Sequence, residues 1–262
     1  MDVFEGNPAL PLLISNVVTI MLIVFFGRDR HQQRNAYKHQ LARLEAKALI
    51  AQMNPHFIFN TLNGIQSTMV LKGEKEANRY IGIFSSLLRK TLDMSALQKV
   101  PLSEEIEYIK GYITLQEMRL KHPIKTKYNI DKKLDLEESK IPVMMMQPLI
   151  ENAILHGISP LKKSGELILN FGKKKDRIVI EIIDNGVGRK RAQLYQSAIK
   201  VRERNRPSAS EIISDRIDIY NYIEKTNSEF KLEDRLHKGE VVGTIATLII
   251  PALIDITQKL KK

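Results

Sequence analysis

Hydrophobic positions along the chain change their spacing twice, and the three regimes predict three kinds of element. The first is an apolar run. Residues 6–27 hold no ionisable side chain, and Leu12 to Phe26 is interrupted only by Ser15, Asn16 and Thr19. A helix needs about 20 predominantly apolar residues to span a bilayer, and this stretch supplies them. Asp2 and Glu5 precede it, whereas Arg28, Arg30, Arg34, Lys38, Arg43 and Lys47 follow against only Asp29 and Glu45. That asymmetry predicts a single-pass anchor over residues 1–27, with the amino terminus outside and the remainder in the cytoplasm, at the inner membrane. A secretory signal would want a basic start and a small-residue cleavage site, and neither is present.

The second regime is helical. Tyr37, Leu41, Leu44, Ala48 and Ala51 recur at alternating four- and three-residue steps, which predicts a short coiled coil or amphipathic linker over residues 28–52. A helical unit over residues 53–122 follows. Phe57, Ile58, Phe59, Leu62, Ile65 and Met69 mark a helix from Pro55 to about Val70, stopped near Gly73. Tyr80, Ile83, Phe84, Leu87, Leu88 and Leu92 mark a second that ends before Pro101. Ser103 with Glu104 and Glu105 reads as the cap and acidic first turn of a third, ending near Lys121.

The third regime, residues 123–255, alternates strands with helices. Strand-like runs fall at Ile124–Ile130, Leu167–Phe171, Ile178–Ile183, Phe230–Leu232 and Val241–Ile250, and the two middle ones read as an antiparallel hairpin about the 172–177 turn. A helix opening at Pro142 stands between the first two. The economical architecture is α+β: a mixed sheet with helices on one face, a two-layer α/β sandwich.

Composition narrows the chemistry. The 262 residues contain no cysteine, which removes disulfides, thiolate catalysis and cysteine-based zinc sites. The formal charge of +11 comes without any zinc-finger, RNA-platform or basic-zipper pattern, so direct nucleic-acid binding is a poor explanation for it.

Three segments carry candidate chemistry. In Met53-Asn54-Pro55-His56-Phe57-Ile58-Phe59-Asn60, His56 places one imidazole at the start of an apolar helix and is the candidate reacting group. In Gln147-Pro148-Leu149-Ile150-Glu151-Asn152-Ala153-Ile154-Leu155-His156-Gly157, the Asn152 amide oxygen suits magnesium, a hard ion that takes few protein ligands when phosphates supply the rest. Glu151 stands beside it to orient a water or accept a proton, while Leu149, Ala153 and His156 line the adjoining side of the helix, His156 as a cofactor contact. In Ile182-Ile183-Asp184-Asn185-Gly186-Val187-Gly188, the Asp184 carboxylate can accept from the exocyclic amine of adenine, while Gly186 and Gly188 let backbone close on a planar base. A plain Asn-Gly hairpin would continue into a strand, but the sequence from Arg189 to Tyr195 reads as a helix.

These three segments, in this order and spacing, resemble LytS/YehU-type sensor histidine kinases over roughly residues 45–250. The resemblance implies a dimeric phosphoacceptor unit followed by an ATP-binding domain of GHKL (Bergerat) type. It implies that His56 is phosphorylated, Asn152 binds Mg²⁺, Asp184 binds adenine, and Gly186 and Gly188 open the ATP loop. Gly243-Thr244 resembles the small pair before the last strand. The implied partner is a response regulator with a receiver domain, often with a LytTR-type DNA-binding output, and DNA contact belongs to that partner. The chain departs from the family in its lid, where Arg206-Pro207-Ser208-Ala209-Ser210-Glu211 stands in place of a second glycine box. Ser208 and Ser210, with Arg202, Arg204 and Arg206, are the replacements for phosphate contacts. The alternatives that this departure raises are a degenerate nucleotide-binding scaffold and a GHKL ATPase without phosphotransfer.

Overall fold

The structure is a computed structural model that describes Met21, Arg28 and residues 55–95, 97–199 and 208–252. The predicted anchor, the heptad stripe and the arginines of the lid lie outside the described residues. Among the described residues no helix is long and apolar enough to cross a membrane. Residues 52–262 form one compact unit.

Two long helices open it, α1 (Pro55–Lys72) and α2 (Glu74–Ser95), separated by Gly73 in a left-handed turn at φ +87°. Their shared seam buries Phe57, Ile65, Tyr80, Phe84 and Leu87, the positions that the periodicity picks out. Phe59, Leu62, Met69 and Val70 instead stand exposed along α1. The third helix, α3 (Leu102–Glu117), lays Leu102, Glu105, Ile109, Tyr112 and Gln116 in one buried row at three- and four-residue steps. It starts two residues earlier than the Ser103 cap predicts. Pro101 occupies the N-cap, and the Ser103 hydroxyl is buried without a hydrogen-bond partner. Proline in that place supplies a fixed φ rather than a capping oxygen.

A small antiparallel ribbon joins β1 (Lys99–Pro101) to β3 (Lys140–Pro142), so Pro142 closes a strand instead of opening a helix. The helix begins five residues later as α4 (Gln147–Glu151), with a proline in its first turn, and continues as a π-helix over Asn152–Ile158. The main sheet runs β2-β4-β5-β7-β6, from β2 (Ile124–Ile130), β4 (Gly165–Lys174), β5 (Arg177–Asp184), β6 (Glu229–His237) and β7 (Glu240–Pro251). Only β2 and β4 pair in parallel. Leu167, Leu169, Phe171, Ile178, Ile180, Ile182, Ala246, Leu248 and Ile250 alternate into one buried layer, the period of 2 that a sheet covered on one face requires. The covering helices are α4 with its π-helical extension and α6 (Ala209–Glu224), with α5 (Arg189–Ile199) beside them. The architecture is the α+β, two-layer arrangement that the sequence predicts.

Candidate functional site

The period of β5 decides where Asp184 goes. Residues 178, 180 and 182 face the helical layer, so Asp184, the last in that row, faces it too and is only 1% exposed. There its carboxylate accepts the Gly186 N–H at 2.7 Å on Oδ1 and the Thr244 hydroxyl on Oδ2. Burial raises its pKa, and the Thr244 and Gly186 donors pull the other way. A carboxylate offers about four acceptor sites, so these donors leave room for one more, such as an amine.

Glycine is what allows three backbones to meet at this carboxylate. A Cβ on Gly157 would sit 3.0 Å from Asp184 Oδ1, and one on Gly186 would sit 2.3 Å from the Gly157 carbonyl carbon. At Gly243, φ is +145° and a Cβ would fall 1.9 Å from the Asp184 carbonyl oxygen. The Val187 N–H closes the set by donating to Gly157 O at 3.0 Å. Gly243 and Thr244 lie within β7 rather than ahead of it.

Beyond this cluster the loop is pinned from β6. Gly188 turns at φ +79°, and the Arg189 N–H that starts α5 donates to Asp234 Oδ1 at 3.0 Å. The Arg189 guanidinium reaches Leu232 O at 2.7 Å. The loop therefore runs into a helix, as the sequence predicts, and the acceptor at its helix start comes from a strand 45 residues away.

Asn152 stands half-buried where α4 gives way to the π-helix, with Glu151 before it and His156 half-buried in the last turn. The wider winding shows in the Ser159 N–H, which donates five residues back to Ile154 O at 2.8 Å. π-turns inside helices recur at functional sites because they displace side chains from α-helical phase. Among the described residues no three His, Cys, Asp or Glu side chains come together as a metal cage. A divalent ion held by Asn152 would accordingly take most of its ligands from phosphate and water, the habit of magnesium.

His56 falls in the first turn of α1. The next residue, Phe57, stacks on Tyr112 of α3 with ring centroids 4.9 Å apart. Tyr112 is fully buried, and burial, reinforced by the charge of Glu151 beside it, holds its phenol well above the ordinary range. The structure thus brings Asp184, Gly157, Gly186, Gly243 and Thr244 into direct contact and links the α1 start to Glu151 through one tyrosine. A cleft of about 450 Å³ lies elsewhere, lined by Leu120, His122, Ile158, Pro160 and Lys162, and includes none of the residues named for the site.

Two features escape sequence reasoning. Ser208 is the N-cap of α6: its hydroxyl accepts the Glu211 N–H at 3.2 Å while Glu211 Oε2 accepts the Ser208 N–H at 2.6 Å, a capping box whose signal is the Ser208-x-x-Glu211 spacing. Glu105, read from the sequence as first-turn acid, is completely buried. Its place in the row with Leu102, Ile109 and Tyr112 is the signal that marks it, a charge at an apolar position.

Comparison with known proteins finds relatives among histidine kinases. Residues 44–124 match the histidine kinase family model. The chain is 32% identical over 164 residues to the sensor histidine kinase BtsS of Escherichia coli (strain K12), across 63% of this chain and 28% of that protein. It is 30% identical over 216 residues to the sensor protein LytS of Oceanobacillus iheyensis, across 82% of this chain and 35% of that protein. The chain thus spans about a third or less of the length of these curated relatives. Among solved structures it is similar to the histidine kinase domain of the Erythrobacter litoralis blue-light activated histidine kinase, with a TM-score of 0.42 and 14% identity over 85% of this chain and 97% of that one.

Proposed function

We propose that this chain, a member of the histidine kinase family of the LytS sensor kind, phosphorylates its own His56 from Mg-ATP and passes the phosphoryl group to an aspartate of a response regulator. The observation that carries the reading is the Asp184–Gly157–Gly186–Gly243–Thr244 cluster, built in the same compact unit as the His56 helix.

In this reading the Asp184 carboxylate accepts from the adenine amine, and the glycines leave room for the base. Asn152 would hold Mg²⁺, which when bound offsets charge on the phosphate oxygens. The neutral imidazole of His56 attacks the γ-phosphorus, the bond to the ADP oxygen breaks, and the imidazole gives up its proton. Glu151 is the candidate to take that proton or to orient a water. His156, Gly188 and Thr244 complete the nucleotide contacts.

The exposed row Phe59, Leu62, Met69 and Val70 supports a homodimer formed through α1. The apolar run over residues 6–27 and the basic residues after it support an anchor in the cytoplasmic membrane with the catalytic part inside. A receiver-domain partner, with a LytTR-type DNA-binding output, is the expected phosphate acceptor, so DNA is contacted only through it.

The test is to incubate the purified full chain with γ-labelled ATP and Mg²⁺. Acid-labile, base-stable label is expected on the wild type and is expected to vanish in His56→Gln and Asn152→Ala. Label that persists in His56→Gln would refute the assigned acceptor. Steady phosphate release independent of His56 would identify an ATPase, and nucleotide binding without any transfer a scaffold.

A further inference from the structure

One turn of the chain is held from two sides by buried charges that the reaction itself does not use. Residues 143–146 lead into α4 and are all buried, and Met144 takes a left-handed φ of +53°. A non-glycine residue rarely adopts that region unaided, so the surroundings must impose it. From α3, the Glu105 carboxylate accepts the Met144 N–H at 3.0 Å and the Met146 N–H at 3.1 Å. From α6, the Arg216 guanidinium donates to Met144 O at 2.8 Å and to Val143 O.

The same face of α3 continues the contact in register. Three residues after Glu105, the Tyr108 hydroxyl donates to Gln147 Oε1 at 3.0 Å. Four residues further, Tyr112 meets Glu151 on one side and stacks on Phe57 on the other. Glu105, Tyr108 and Tyr112 therefore follow residues 144–151 step for step, and the last of them touches the residue next to His56.

We infer that Glu105 is a positioning residue for phosphoryl transfer: its carboxylate fixes the 143–146 turn and so sets where Glu151 and Asn152 stand relative to the His56 helix. The inference rests on the kinase reading above. Two N–H donors converging on one carboxyl group favour its ionised form, which accepts more strongly on both oxygens than the protonated acid does. Burial pushes the Glu105 pKa up to about 7, against the pull of the Met144 and Met146 amides and the Arg216 charge. The charged and titratable groups facing it are Arg216 from α6 and Tyr108 from α3, and neither changes protonation near neutrality.

The experiment compares the wild-type full chain with Glu105→Gln and Arg216→Gln between pH 6 and 8.5. Initial phosphorylation rates are expressed per nucleotide-binding site, and amide exchange is followed at Met144 and Met146. For Glu105→Gln we expect kcat to fall about tenfold at pH 8 with the KM for ATP within threefold, and the deficit to shrink toward pH 6 as the wild-type carboxylate protonates. Exchange at the two amides should rise at least tenfold while the β4–β5 amides stay protected. Arg216→Gln keeps the carboxylate but removes its counter-charge, and should move the wild-type pH midpoint upward. A rate deficit that is constant across pH, or unchanged exchange at both amides, overturns the inference. If Glu105→Gln loses protection throughout the sheet, the Arg216→Gln midpoint decides: an unmoved midpoint overturns it. A wild-type chain that takes no label at any pH refutes the kinase reading instead.

Discussion

Gly186→Ala puts one methyl group where two backbones already touch. The added Cβ would lie 2.3, 2.5 and 2.5 Å from the carbonyl carbon, Cα and oxygen of Gly157, all main-chain atoms that cannot rotate away. Ordinary contact therefore demands that the loop and the π-helix part by roughly 1 Å, the gap between those distances and van der Waals separation. Separation breaks the Val187 N–H bond to Gly157 O, now 3.0 Å long. Losing that bond costs about 1 kcal/mol, and overpacking adds about 1–3 kcal/mol, so the expected loss is about 2–4 kcal/mol. Urea denaturation of the variant measures it, and a fluorescent ATP analogue reads the affinity, expected to drop at least tenfold. The control is Gly82→Ala, on the exposed face of α2 with nothing within 4 Å of the new Cβ, which should gain up to about 1 kcal/mol from helix propensity. If Gly186→Ala melts and binds like wild type, the close approach is not a constraint and the cradle argument fails.

Asp184→Asn keeps the shape of the carboxyl group but cannot accept on both atoms from Gly186 and Thr244, so ATP affinity should fall at least tenfold with far-UV circular dichroism unchanged; calorimetric titration with ATP decides. Because burial raises the Glu105 pKa from 4.5 to about 7, the folded chain holds that proton more tightly than the unfolded one. Its contribution to stability is fully present below about pH 4.5 and is lost as pH rises to about 7, by about 3 kcal/mol in all at about 1.4 kcal/mol per unit. Urea midpoints of wild type and Glu105→Gln should therefore converge in acid and diverge, in favour of the variant, above pH 7; parallel curves would refute it. Phe59→Glu combined with Val70→Glu should convert a dimer to monomer in analytical ultracentrifugation, since both side chains are exposed along α1. A dimer that survives both charges is not held by this face.

What the sequence reveals of the fold depends on whether one face of an element is buried. Leu167, Leu169 and Phe171 against Ile168 and Asn170 announce β4 because the helical layer covers only one side of the sheet. The three-residue strands β1 and β3 are too short to show a period, which is why Pro142 reads as a helix start. The same stretch hides long-range contacts: Glu105 and Arg216 hold the peptide groups of left-handed Met144, and both lie on elements distant in the chain. Ser103 misleads for the opposite reason, since a capping residue type is present but the helix starts one residue before it.

Of the site, Asp184 and the glycines are legible because backbone crowding demands particular residue types. The partners Asp234, Tyr112 and Arg216 are not, because each acts from an element distant in the chain.

The π-winding of Asn152–Ile158 sets stability against activity. A π-helix carries one residue more than regular α-winding would need over the same length, and it persists only where its neighbours enforce it. Deleting a single residue after Asn152 would let α-winding cover the same length and relieve the local cost, yet would change which side chains between Asn152 and Gly157 face the sheet. On the proposed reading, that local cost is kept because the winding sets Gly157 against the Asp184 carboxylate.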